Sequence, residues 1–377
     1  MYLCGLKLKS DMIKTTGQRE IIVIMMAMIT LLSCQKAATT QQRDKDEEHS
    51  VVVAQELSNS RVQCIAEDAA GQLWIGTFRG LNRYDGHEYH QYLCTDDSLG
   101  LPDNQIKDIL CDQQRRLWVA TVNGVCRYSR MDSFDRITVK SANLNTQKLL
   151  EDSKGRIYVY NGTEVLRLDE KEQAFLPCIS RQMERQSWTW GNCIIDASDN
   201  ILITESQRIL VYDNETLKLK KEIPLGERYY FYSEILSNGL MVLSGYGFMM
   251  LYDTKSQHIV PLDAAMESRL MAHNSIIQAV RLLENNTILL STSHNGVFEL
   301  NLLAHTLHGE GDTGFTLPVP DAMVTQVFQD SRKNVWLGTY DKGLFADYYY
   351  KEKFGGSDNY LHRGIEHSYV QHVASDT

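Results

Sequence analysis

Residues 57–86 read LSNSRVQCIAEDAAGQLWIGTFRGLNRYDG, and residues 101–130 read LPDNQIKDILCDQQRRLWVATVNGVCRYSR. Aligned on their first residues, they pair Leu57 with Leu101, Asp68 with Asp112, Trp74 with Trp118, Thr77 with Thr121, Gly80 with Gly124 and Tyr84 with Tyr128, each 44 residues apart. Six coincidences at one offset mark an internal repeat. The frame returns in DAMVTQVFQDSRKNVWLGTYDKGLFADY through Asp330, Trp336, Gly338, Thr339 and Gly343. Weaker copies lie between, around Tyr158, Leu202, Met241 and Leu289. The Trp position thus reads Trp, Trp, Tyr, Leu, Met, Leu, Trp, and seven copies are expected.

Each copy has strand chemistry. VQCIAED and LWIGT are short β-rich runs, and the Asp-x-x-Gly between them suits a turn, since Asp caps it and Gly accepts positive φ. A second Gly, at 80, 124, 296 and 343, marks the next hairpin, and a stretch such as EYHQY completes a four-stranded unit. Four strands in about 40 to 45 residues make one propeller blade, and four to eight blades close a ring. The expectation is an all-β fold, a seven-bladed β-propeller of four-stranded blades. Val51 to Gln55, ahead of the first copy, is expected to close the ring as the outer strand of the last blade, which removes open edges. Solenoid coils are much shorter than this repeat, and outside the start of the chain no window sustains helical periodicity over 12 residues.

The composition agrees. The chain has 377 residues, 43% hydrophobic and 23% charged, with 24 Gly and 6 Pro, which excludes disordered, collagenous and coiled-coil architectures. A prior of about 150 residues per domain suggests two or three domains, but repetition of one unit uses that length. The net charge of −10 and the lack of a basic stripe argue against nucleic-acid binding.

Ile21 to Leu32, IIVIMMAMITLL, follows Lys7, Lys9, Lys14 and Arg19. Spanning a bilayer takes about 20 apolar residues, so this run suits a secretory signal, residues 1–34, and export to the periplasm. Leu31-Leu32-Ser33-Cys34 resembles a bacterial lipobox, which makes Cys34 the candidate lipidation site and a membrane anchor, with plain signal cleavage as the alternative. Residues 35–50 are polar and read as a tether, 51–356 as the propeller, and 357–377 as a linker with the incomplete start of an eighth copy. Six further cysteines, Cys64, Cys94, Cys111, Cys126, Cys178 and Cys193, lack metal spacing and read as buried hydrophobes or disulfide partners.

The run VQCIAEDAAGQLWIGTFRGLNRYDG, with the Trp118 and Trp336 copies, resembles the two-component regulator propeller repeat. The resemblance covers about Val51 to the end and implies the N-terminal periplasmic sensor propeller of a Bacteroidetes hybrid two-component system. Such relatives carry a second propeller, further sensor domains, a membrane helix, a histidine kinase and a response regulator, and act as dimers. Since the chain stops at Thr377, one strand into a copy, a shortened version of a longer sensor is the expectation, without kinase activity.

Enzyme signatures are missing: HEYH at 87–90 is one residue short of HExxH, and no nucleotide loop or nucleophile elbow occurs. No catalytic residue, metal or cofactor is expected. In a propeller the turns between second and third strands share a face with the connections between blades. The candidate ligand residues there are Arg79, Trp188, Trp190, Tyr229, Tyr230, Tyr232, Tyr246, His294, Tyr340 and Asp341. Rings beside polar and charged groups suit an oligosaccharide or other small ligand. The competing readings are structural packing for the Trp188–Trp190 and Tyr229–Tyr232 aromatics, a stand-alone lipid-anchored scaffold, and a propeller lyase or lactonase.

Overall fold

A computed structural model describes residues 51–52 and 57–347, except 87, 96–98, 130–131, 181–191, 206, 284–285, 314, 316 and 318–321. The expected signal, tether and final linker, with Cys34, lie outside the described residues, as do Trp188 and Trp190.

Strands of two to seven residues make up most of the described chain, and each blade is an antiparallel meander. Blade 1 is β2 (Val62–Glu67), β3 (Leu73–Thr77), β4 (Gly80–Tyr84) and β5 (Tyr89–Tyr92); β1 (Val51–Val52) belongs elsewhere. Blade 2 is β6 (Ile106–Cys111), β7 (Leu117–Thr121), β8 (Gly124–Ser129) and β9 (Ser133–Val139). Blade 3 is β10 (Lys148–Glu151), β11 (Ile157–Tyr160), β12 (Glu164–Asp169) and β13 (Ala174–Ser180). Blade 4 is β14 (Asn192–Ile195), β15 (Asn200–Thr204), β16 (Arg208–Asp213) and β17 (Leu219–Pro224). Blade 5 is β18 (Tyr232–Ile235), β19 (Leu240–Gly245), β20 (Phe248–Asp253) and β21 (His258–Val260). Blade 6 is β22 (Ile277–Leu282), β23 (Thr287–Thr292), β24 (Val297–Asn301) and β25 (Thr306–Gly309). Blade 7 is β26 (Val324–Gln329), β27 (Val335–Thr339) and β28 (Leu344–Asp347), completed by β1 through Val51 opposite Ala346 and Val52 opposite Phe345. The fold is a seven-bladed all-β propeller, closed by its own first strand.

The core lies between blades. Seven apolar clusters each join one blade to the next, and the Trp position feeds all of them: Trp74, Trp118, Tyr158, Leu202, Val242, Leu289 and Trp336. In blade 5 this corrects the sequence alignment by one residue. The turn bond from Leu236 N–H to Leu240 O matches that from Asp68 N–H to Gln72 O, which puts Val242, not Met241, in the Trp place. Met241 packs toward blade 4 instead. Each indole removes about 200 Å² from water, worth about 5 kcal/mol before entropy is counted, so burial outweighs any single polar contact there.

Two features depart from the simple repeat. The outer strands β9 and β13 pair in parallel, Thr138 with Ala174 and Val139 with Phe175, so blades 2 and 3 form one eight-stranded sheet. A short helix, α1 (Ala264–Leu270), sits between blades 5 and 6, capped by the Asp263 carboxylate, which accepts from the N–H groups of Ala265 and Met266.

Candidate functional site

The repeat's Thr and Gly build the turns of one face. Thr77 Oγ1 donates to Gly80 O at 2.8 Å, and the same bond joins Thr121 to Gly124 at 2.9 Å and Thr339 to Gly343 at 2.8 Å. Gly80 and Gly124 have φ of 115° and 114°, which side chains with a Cβ rarely adopt. These turns bond to the connections between blades: Phe78 N–H to Arg61 O at 2.9 Å, Gly247 N–H to Ser275 O at 2.9 Å and Tyr340 N–H to Met323 O at 2.9 Å. The two sets of loops therefore share a face.

Of the candidate residues, Arg79, Tyr229, Tyr246, His294, Tyr340 and Asp341 are exposed on that face. Tyr229 is 58% exposed, Tyr246 63%, and Tyr340 and Phe78 43% each. They gather in two places. At the seam of blades 7 and 1, the Arg61 guanidinium stacks on both rings, 4.9 Å from the Phe78 centroid and 4.3 Å from that of Tyr340. At the seam of blades 4 and 5, Phe231 and Tyr246 lie 5.1 Å apart, and Arg228 covers Phe248 at 4.8 Å. His294 Nδ1 bonds Ser293 Oγ at 2.7 Å, and its N–H donates to Ser275 Oγ at 3.0 Å.

Tyr230 is not on the face. It is 5% exposed and packs edge-on against Phe248, 5.2 Å between centroids, in the cluster joining blades 4 and 5. Consecutive residues of an extended chain point to opposite sides, so TyrTyrPheTyr at 229–232 is split among solvent, core and channel. Tyr232 turns into the central channel, where burial pushes its hydroxyl well above the usual tyrosine range.

That channel is a cavity of about 490 Å³ lined by the inner strands, and sequence reasoning missed it. One ring of positions holds Cys64, Asp108, Lys148, Asn192, Tyr232, Ala279 and Gln326, and a lower one adds Glu234, Arg281 and Phe328. No letter repeats there, so the repeat that reveals the fold hides the channel. The signal available was charge: Asp108, Lys148, Glu234 and Arg281 fall in strand-like stretches where apolar residues are the norm.

The charges largely satisfy one another. Lys148 Nζ meets Glu234 Oε2 at 3.3 Å, reaching from blade 3 to blade 5 across the short Asn192. Asp108 accepts from Leu149 N–H at 2.8 Å and from its neighbour Ile109 N–H at 3.0 Å. Burial raises the Asp108 pKa, opposed by Lys148 and the two N–H bonds. Glu234 foremost, then Asp108, holds the Lys148 ammonium above the lysine range against the cost of burial. Among the described residues no cluster of three His, Cys, Asp or Glu side chains could hold a metal ion.

Residues 56–79, 100–123 and 318–341 match the model of the two component regulator propeller. Among solved structures the chain is similar to the extracellular domain of a hybrid two-component system of B. thetaiotaomicron, at 20% identity and TM-score 0.62 over 77% of this chain and 40% of that one. A second such domain from B. thetaiotaomicron gives 18%, 0.61, 77% and 40%. Virginiamycin B lyase of Staphylococcus aureus gives 12% identity and TM-score 0.61 over 79% of this chain and 97% of that one. At these identities the likeness is one of fold, and the chain spans about 40% of the length of the two sensor domains. No curated protein sequence matches. The matched segments fall in blades 1, 2 and 7 of a closed seven-bladed ring, so the fold is a β-propeller in which three of the seven blades match the two component regulator propeller repeat.

Proposed function

We propose that this chain is an exported, ligand-sensing propeller of a hybrid two-component regulator, and that it reads an oligosaccharide on the face of the second-to-third-strand turns. One observation carries the reading. The exposed aromatic side chains of the described residues, Phe78, Tyr229, Tyr246 and Tyr340, all lie on that face. Apolar sugar faces stack on exposed rings, while neighbouring Arg, Asp and His groups bond hydroxyls.

Binding rather than turnover suits the polar groups. Asp108 and Glu234, the carboxylates of the channel, are engaged by N–H groups and by Lys148. Residues 1–34 act in this reading as the export signal, with Cys34 as the lipid attachment point where acylation occurs and residues 35–50 as the tether. A second propeller, downstream sensor domains and a homodimer would carry the signal onward, through a ligand that prefers one of two packings.

Calorimetric titration of the chain with a panel of neutral and acidic oligosaccharides tests the reading. At least one is expected to bind, and Tyr246→Ala together with Tyr340→Ala is expected to weaken it at least about tenfold without loss of fold. Turnover of any panel member, or binding indifferent to both substitutions, would sink it.

A further inference from the structure

Three cations at or inside the channel have no ion-pair partner among the described residues. No ion pair among the described residues engages Arg61, Lys107 or Arg281, although the chain carries ten more acidic than basic side chains. Arg281 lies at the lower ring, 5.2 Å from the Phe328 centroid, and Glu234 supplies its nearby negative charge. Arg61 and Lys107 are different: they sit toward the exposed aromatic face, and each is the other's charged neighbour. Burial, then the Arg61 charge, pushes the Lys107 ammonium below the usual lysine range.

Lys107 is also aimed. In blade 2 the register between β6 and β7 slips between Ile106 and Asp108, and the same slip occurs at Gln63, Gln278 and Thr325 in blades 1, 6 and 7. A bulge leaves its extra residue out of the ladder and re-aims the side chain. Lys107 and Asp108 consequently both line the cavity, as do Gln63 and Cys64. The uppermost ring is then Gln63, Lys107, Gln147 and Gln278, amides with a single charge among them.

We infer that the channel mouth between blades 7, 1 and 2 binds an oxyanion, a carboxylate or sulfate carried by the ligand, with Lys107 as its charge partner and the Arg61 guanidinium, held by Phe78 and Tyr340, as a second. Lys107, desolvated and facing the Arg61 charge, is stabilised when an anion seats beside it. The amides of Gln63 and Gln147 would bond the same ligand's hydroxyls. This deepens the oligosaccharide reading by naming acidic sugars, and it can fail while that reading stands.

The test compares glucose, glucuronic acid and glucose 6-sulfate at fixed ionic strength, by calorimetry or amide chemical-shift titration of the full chain and of Lys107→Gln. Since Gln occupies the matching place in blades 1, 3 and 6, the variant keeps a side chain the ring already accommodates. One charge-assisted hydrogen bond predicts that at least one acid binds about tenfold or more tightly than glucose, and that Lys107→Gln removes the preference. Preference for one acid alone identifies the anion as carboxylate or sulfate. Equal binding of all three overturns the inference and leaves oligosaccharide sensing intact. So does an anion preference that survives in Lys107→Gln, and absence of binding by all three overturns the inference as well.

Discussion

The indole N–H of Trp118 donates to Oδ2 of Asp112 at 2.8 Å, six residues back across the turn from β6 to β7. Trp74 and Asp68 repeat the bond at 2.8 Å, and Trp336 and Asp330 at 2.9 Å. The other Asp oxygen caps the turn itself, Asp112 Oδ1 accepting from Arg116 N–H at 2.8 Å. One carboxylate thus fixes both the turn and the indole that fills the gap to the next blade. Trp118→Phe keeps a ring but removes the donor beside a buried carboxylate. We expect a loss of about 2–4 kcal/mol in urea unfolding, at the low end because Arg116 Nε still reaches the same oxygen. Trp118→Tyr is expected to cost less, since blade 3 spans the distance with Tyr158 Oη donating to Asp152 Oδ2 at 3.1 Å.

Asp132 joins blades 1 and 2 by accepting from Tyr92 Oη at 2.7 Å, Tyr128 Oη at 2.8 Å and Arg83 Nη1 at 2.8 Å. The Tyr92 bond foremost, with those from Tyr128 and Arg83, holds its carboxyl below the usual range. A depressed folded pKa contributes stability that is present above the unfolded value, about 3.9, and disappears as pH falls through the folded one. Asp132→Asn is therefore expected to narrow the stability difference between pH 6 and pH 3. The side chain is half exposed, so the change should stay under about 1 kcal/mol. Denaturant titrations of both proteins at the two pH values check it; an unchanged difference rejects the account.

Removal of residues 1–52 takes away the fourth strand of blade 7 and leaves the β28 backbone around Phe345 and Ala346 without its partner. An open edge invites pairing with another chain. The shortened protein is expected to unfold at lower urea and to form concentration-dependent associates in sedimentation velocity.

Tyr230→Ala and Tyr229→Ala separate core from face. Truncating buried Tyr230 should cost about 3–5 kcal/mol, as large core aromatics do. Truncating exposed Tyr229 should stay within about 0.5 kcal/mol. Thermal unfolding of the two variants decides, and equal destabilisation would refute the split.

The six described cysteines are free, with Cys64, Cys126 and Cys193 buried. Burial pushes the thiols of Cys64 and Cys126 up, and that of Cys178 to about 11. At pH 8 a thiolate-directed reagent is expected to reach Cys64, Cys126 and Cys193 only after unfolding. Rapid native labelling, followed by mass mapping to those three, would contradict the packing.

The ring was legible because its strongest constraints recur. Asp112 with Trp118 and Thr121 with Gly124 are bonds that every well-kept blade repeats, so the letters survive together. The closing strand was legible because Val51 stands ahead of the first copy, and it pairs with Ala346 of the last. What did not recur was not visible. Lys148 and Glu234 stand 86 residues apart and meet only because the ring curves. Met241 was misplaced because blade 5 has neither the Asp nor the Trp that anchors the frame, and the Leu236 turn is held by backbone bonds and by Asn238 Oδ1, which accepts from Leu240 N–H. The fate of Tyr230 depended on strand parity at a blade's first residues, which a run of four aromatics does not reveal.

The parallel joint of β9 with β13 has a mechanical meaning. A wheel of seven vanes has seven joints at which it can flex, but here Thr138, Val139, Ala174 and Phe175 weld two vanes at the rim. Blades 2 and 3 therefore share one continuous eight-stranded sheet, tied at the rim as well as through their apolar cluster. Lys107, Asp108 and Lys148 all hang from its inner edge, whereas Glu234 and Arg281 hang from the opposite side of the hub. The Lys148 to Glu234 contact is the spoke that ties the inner edge of this double sheet to blade 5 across the hub.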